Sequence, residues 1–213
     1  MSDRATLDAL LEMHGTTYAD EAGIRLRDTP QPLYQLLVLS DLLSARIRAS
    51  VAVAAARALY AHGMRTPHRM ADATWQQRVD ALGEGGYRRY DERTATQLGD
   101  GAVLLLNAYR GDLRSLRRDA DGDTGALRSA LQRFPGMGPT GADIFLREVQ
   151  TVWPEAAPYL DAKALQGAQH LGLPTSPAGL TRMVKGRDPA VLAAALVRTA
   201  LDKDVAASVR SAA

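Results

Sequence analysis

Phe134-Pro135-Gly136-Met137-Gly138-Pro139-Thr140-Gly141-Ala142 is the stretch on which the reading of this chain turns. An apolar helical pattern over 126–133 precedes it, and another over 142–149 follows. Pro135 ends the first helix, because its ring clashes with the preceding turn and it lacks an N–H. Gly136 and Gly138 permit positive φ and a close approach of backbone to another molecule. Pro139 suits the first turn of the second helix, where a missing N–H costs nothing. The order predicts a helix, a tight hairpin and a helix whose first N–H groups point outward. Orphan donors and the helix dipole together make such an end a site for a phosphate. The alternative is a plain helix–helix turn with Met137 packed in the core.

Outward from the hairpin, the helical period dominates and no strand pair is evident. Helices are expected over 3–13, 31–46, 49–61, from Pro67, over 75–82, and from about Tyr90 to Tyr109. Further helices are expected to open at Asp161 and to run over 177–184 and 189–201, with a fraying tail from Ala206. The 31–46 segment carries Leu33, Leu36, Leu37, Leu39, Leu42 and Leu43, so it must be largely buried. Asp41 lies within it, either a buried carboxylate facing a cleft or a cap for a neighbouring element. The expected class is all-α.

Composition sets outer bounds. The 213 residues, 46% hydrophobic with 18 Gly and 10 Pro, describe an ordinary globular chain able to bury a sizeable core. There is no cysteine, which excludes disulfides, thiolate zinc sites and thiolate-held iron–sulfur clusters. The net charge of +2 is too mild to announce nucleic acid by itself. No apolar run reaches membrane-spanning length and the N-terminus lacks a signal-peptide pattern, so a cytoplasmic location is expected, nucleoid-associated in a bacterium. His14, His62, His68 and His170 show no ligand spacing, and no metal site is expected. Lysines stand only at Lys163, Lys185 and Lys203.

At the hairpin the sequence resembles the helix-hairpin-helix DNA glycosylases, the superfamily of endonuclease III. That family's hairpin runs Leu-Pro-Gly-Val-Gly and is followed, after a loop, by an Asp that opens a helix. Here the loop runs from Trp153-Pro154 to Tyr159-Leu160-Asp161, and Leu171-Gly172-Leu173-Pro174 follows. Leu42-Leu43-Ser44-Ala45-Arg46 resembles the family's Leu-Leu-Ser-Ala-Gln, and Gly86-Tyr87-Arg88-Arg89 its Gly-(Phe/Leu)-Tyr turn. The resemblance covers about Leu33 to Leu173 in consistent order. It implies two helical subdomains with the DNA-binding helix-hairpin-helix at the cleft. Residues 1–213 would form one such unit, with 47–133 as the middle bundle and 1–46 plus 134–213 as its partner.

The resemblance also implies a chemistry. A glycosylase takes its base out of the stack and cleaves through a sugar carrying positive charge. Asp161 matches the carboxylate that stabilises this cation, activates water, or does both; its bland alternative is an ordinary N-cap. Thr140 stands where bifunctional relatives place a Schiff-base lysine, and a hydroxyl cannot form an imine, so a monofunctional hydrolase is expected. Lys163 and the amine of Met1 are what remain for lyase chemistry. Lys163 lies two residues from Asp161, on a different helix face, so a phosphate contact or solvent exposure is expected of it. DNA contacts are expected from Pro135, Gly136, Met137, Gly138 and Thr140, with Met137 at the hairpin tip. Arg46 would fill the hole left by the flipped base or contact its orphaned partner, or simply stand at a solvated helix end. Tyr87 and Arg88 would wedge into the duplex or contact phosphate, or serve as core and surface. Trp153 is expected to pack under the Asp161 loop and Trp75 in the core. The implied partner is double-stranded DNA bearing a damaged or mismatched base, bound by a monomer. No cofactor is expected beyond a monovalent cation held by hairpin carbonyls, and no iron–sulfur cluster. The other reading is a non-enzymatic hairpin module that only grips DNA.

Overall fold

The computed structural model describes residues 2–184 and 186–213, and among them there is no strand. The chain divides into two compact units, Met1–Tyr18 with Leu146–Ala213, and Ala19–Phe145. The two-part, N-plus-C arrangement thus has bounds other than the 46/47 and 133/134 expected. The reason is packing: the Pro30–Ser44 helix lies on Ala49–Ala61, and its apolar face is satisfied inside the middle unit.

In the Ala19–Phe145 unit, Asp91–Tyr109 is the central helix, packed by Pro67–Asp72 and Trp75–Glu84. Pro30–Ser44 is buried along nearly its whole length from Leu33 onward, as its leucines require. The long helix tolerates Gly99 for a specific reason. A Cβ there would lie 2.7 Å from the Arg78 guanidinium, which is buried and donates to the carbonyls of Ala95, Met70 and Ala73. Thr74 and Gln77 form a reciprocal capping box that starts the Trp75–Glu84 helix. Two short helices went unpredicted, Tyr18–Glu21 and Leu113–Asp119. The second is set by Asp112, whose side chain accepts from Arg114 N, and by the burial of Leu113 and Leu116.

In the other unit, Ala162–His170 packs closely on Pro189–Leu201. Gly167 makes this possible, because a Cβ there would overlap the carbonyl of Leu196. The C-terminal tail is not frayed. Lys203–Ala212 is a helix with Asp202 as its cap, and it buries Ala206 and Val209. It packs against Asp3–His14 and Pro189–Leu201, an apolar contact that its small residues concealed in the sequence.

Candidate functional site

The hairpin joins Thr124–Leu131 to Pro139–Val149. Asp123 caps the first helix, accepting from the N–H groups of Gly125 and Ala126. Arg128 Nε donates to Asp143 Oδ1 at 2.6 Å, an ion pair that braces one helix of the motif on the other. Phe134 is buried and stacks on Tyr109 with centroids 6.3 Å apart. Gly136 has φ +85°, a conformation that an L side chain rarely adopts.

The turn uses part of its own donor set. Met137 N–H donates to Phe134 O, and Gly138 N–H to Gly136 O, each at 3.0 Å. In the first turn of Pro139–Val149, where N–H groups have no intrahelical acceptor, Thr140 is exposed and Gly141 is buried, so the outward donor is that of Thr140. Gly138 has open space around its Cα. Met137 is not at the tip. It is 3% exposed, and its sulfur sits where a Cβ on Gly141 would come within 2.5 Å. An apolar side chain beside a buried glycine gains more from the core than from water.

Leu42 to Arg46 comes to the hairpin. The Ser44 Cβ lies 3.5 Å from an ideal Cβ on Gly141, and Arg46 follows, exposed, past the end of Pro30–Ser44. Asp41, one turn earlier, is buried behind Gly136. Burial pushes its carboxyl up to about 7, with the Arg93 guanidinium pulling the other way. Tyr87 is a correction: at 2% exposure it is a core residue, and its hydroxyl accepts a hydrogen bond from Thr94 Oγ1. Arg88, beside it, is exposed. Trp75 is also corrected, being 41% exposed with its indole N–H directed to Glu92 O and Thr96 Oγ1.

Asp161 lies in the other unit, as the N-cap of Ala162–His170. Its Oδ1 accepts from Ala164 N at 3.0 Å and its Oδ2 from Arg147 Nη1 at 2.8 Å. The two side chains are only 12% and 6% exposed. The loop that carries Asp161 is pinned from the same helix end. Gln150 accepts from Tyr159 N at 2.8 Å and donates to Tyr159 O and Arg147 O. Trp153 is wholly buried. Each Asp161 oxygen has one donor and retains a second lone pair. The carboxylate is thus fixed in place yet not saturated.

Lys163 is exposed, with its ammonium on Gln166 Oε1 at 2.9 Å. The other amine, on Met1, lies outside the described residues. Among the described residues no three His, Asp or Glu side chains gather as metal ligands, and no helix is long and apolar enough to cross a membrane. A thiolate-held cluster does not fit a chain with no cysteine. Arg147 and Gln150 escaped sequence reasoning, although a charged pair, Arg147-Glu148, inside the apolar run 144–149 was a signal of buried polar partners.

No protein-family model matches the chain, and no curated protein matches it significantly by sequence. Solved structures do. A non-covalent endonuclease III–DNA complex superposes with a TM-score of 0.53 at 18% identity, covering 93% of this chain and 85% of that one. A trapped endonuclease III–DNA covalent intermediate, in an estranged-adenine complex, gives 0.52 at 17% identity over the same shares. This chain has the endonuclease III fold. The all-α class and the fold implied by the hairpin resemblance are therefore correct. The endonuclease III fold here is built without a single cysteine.

Proposed function

We propose that this chain is a DNA-repair glycosylase, monofunctional, that hydrolyses the N-glycosidic bond of a damaged or mismatched base in duplex DNA. The observation that carries the reading is Asp161. It is held by a backbone N–H and a guanidinium at a helix start, on a fold whose hairpin leaves Thr140 exposed at the start of its second helix.

The roles follow from charge. The Thr140 N–H holds a backbone phosphate, and Arg46, Arg88 and Lys163 add cationic contacts that steady the duplex. As the bond from C1′ to the base nitrogen stretches, positive charge builds on the sugar. The Asp161 carboxylate stabilises it and accepts a proton from the water that adds to C1′; the base leaves with its electron pair and takes a proton from solvent, to which Asp161 later returns its own. Thr140 offers no amine, so no imine forms there.

Arg147 favours a second reading. A guanidinium at 2.8 Å offsets the charge that a sugar cation would feel. On that reading the chain grips DNA through the hairpin, and Asp161 is a structural cap only. The deciding experiment is a panel of lesion-bearing and mismatched duplexes, treated with alkali after incubation to reveal abasic sites. Base release by the natural chain that Asp161→Asn abolishes, with duplex affinity retained, supports the hydrolase. Release that survives in Asp161→Asn overturns the assigned role. Duplex binding with no release from any substrate leaves the gripping module.

A further inference from the structure

Behind the hairpin lies a buried carboxylate, Asp41, whose only charged neighbour among the described residues is the Arg93 guanidinium. An ideal Cβ on Gly136 would stand 2.5 Å from Asp41 Oδ1 and 3.1 Å from Gln97 Oε1. Both oxygens therefore press directly on the hairpin backbone. Asp41 accepts no side-chain hydrogen bond among the described residues, although it is buried. Tyr34, two turns earlier on the same helix, ends in a buried hydroxyl with no hydrogen-bond partner among the described residues. Asp41 and Gln97 line, with Pro135 and Met137, a cavity of about 20 Å³, room for about one water.

The groups that face Asp41 are few. The Asp91–Tyr109 helix brings Arg93 and the turn before that helix brings Tyr87, while Tyr34, on the same helix as Asp41, lines the same cavity and has Arg78 as its charged neighbour. The hairpin residues Phe134 to Met137 bring no ionisable side chain. An ionised Asp41 so placed puts a negative charge directly behind the turn that would hold a phosphate. In the poorly solvated interior that charge is weakly screened and repels the phosphate; the neutral acid does not.

We propose that DNA binding at this hairpin is coupled to protonation of Asp41: the neutral acid is the state that accepts a backbone phosphate, and duplex binding takes up a proton. The coupling is reciprocal, since a phosphate on the hairpin must raise the proton affinity of the carboxyl as much as the proton raises affinity for phosphate. Burial already brings this carboxyl to about 7, so the linked titration falls near neutrality. The inference rests on the hairpin being the phosphate-binding element.

The test is calorimetry of the full chain with an undamaged duplex, at constant salt, from pH 6 to 8. It is run in two buffers of different ionisation heat. The natural chain is expected to take up a fraction of a proton near pH 7.5 and to lose up to about tenfold in affinity per pH unit above the titration. Asp41→Asn is expected to lose this share of the uptake and to bind at pH 8 at least as tightly as the natural chain. The histidines remain in both proteins, so the difference between them isolates Asp41. An identical pH slope and identical uptake in the two proteins overturn the proposal. Should Asp41→Asn not fold, a carboxyl carbon NMR titration of Asp41 in the natural chain replaces it. An upward move of its midpoint on adding duplex supports the coupling, and an unmoved midpoint overturns it. No duplex binding at any pH sinks the hairpin reading and this inference together, whereas binding without linked protons sinks this inference alone.

Discussion

Arg147 Nη1 stands 2.8 Å from Asp161 Oδ2, and both side chains are nearly removed from solvent. One arm of the pair is the end of the hairpin's second helix, and the other opens Ala162–His170. Ions this deep repay their lost hydration only while both are present. Removing Arg147 alone leaves a buried, unpaired carboxylate, so Arg147→Met should destabilise the protein by roughly 3–5 kcal/mol. Adding Asp161→Asn to Arg147→Met should recover much of that loss. Denaturant unfolding of the two single variants and the double variant measures the coupling, and additive losses would show that the pair is not a unit.

Asp161→Asn by itself keeps a cap oxygen for Ala164 N and loses the charge. On the proposed mechanism, single-turnover base release should fall by about 10² to 10⁴. Duplex affinity should change by less than about threefold, because the hairpin and arginines supply the phosphate contacts.

The stability of this protein should decline between mildly acidic and neutral pH because of Asp41. Its folded-state pKa is raised from 3.8 to about 7. Its contribution is fully present below the unfolded value and is lost as pH rises through the folded one. Asp41→Asn should therefore match the natural chain near pH 4 and exceed it at pH 8, by at most roughly 4 kcal/mol. Denaturant midpoints at the two pH values check the sign; equal differences at both would refute it.

Two hairpin glycines should separate folding from binding. Gly136→Ala meets both a φ of +85° and the Asp41 carboxylate, so it should cost roughly 1–3 kcal/mol. Gly138 has nothing within 4 Å of an added Cβ. Gly138→Ala should leave the melting temperature nearly unchanged, while its methyl obstructs a phosphate and lowers duplex affinity. A melting scan beside a binding isotherm distinguishes the two.

Arg46 and Arg88 are exposed, whereas Tyr87 is buried. Arg46→Ala and Arg88→Ala should each lower the slope of log affinity against log salt by about one. Tyr87→Phe should leave that slope intact and act only on stability, through the lost Thr94 contact.

What local chemistry dictates was readable from residue order. Proline cannot continue the 126–133 helix, only glycine suits φ +85° at position 136, and an Asp before a helical run caps it. Those constraints act within a few residues, so the all-α class, the hairpin and the place of Asp161 followed without coordinates. Apolar periodicity shows that a face is buried but not what lies against it. The partners of Asp161, the burial of Asp41, the inward turn of Met137 and Tyr87, the outward turn of Trp75 and the docking of the Lys203–Ala212 helix were all set by packing between segments far apart in the chain. Burial alone decides whether a carboxylate is a cap, half of an ion pair or an unpaired acid, and burial belongs to the tertiary structure.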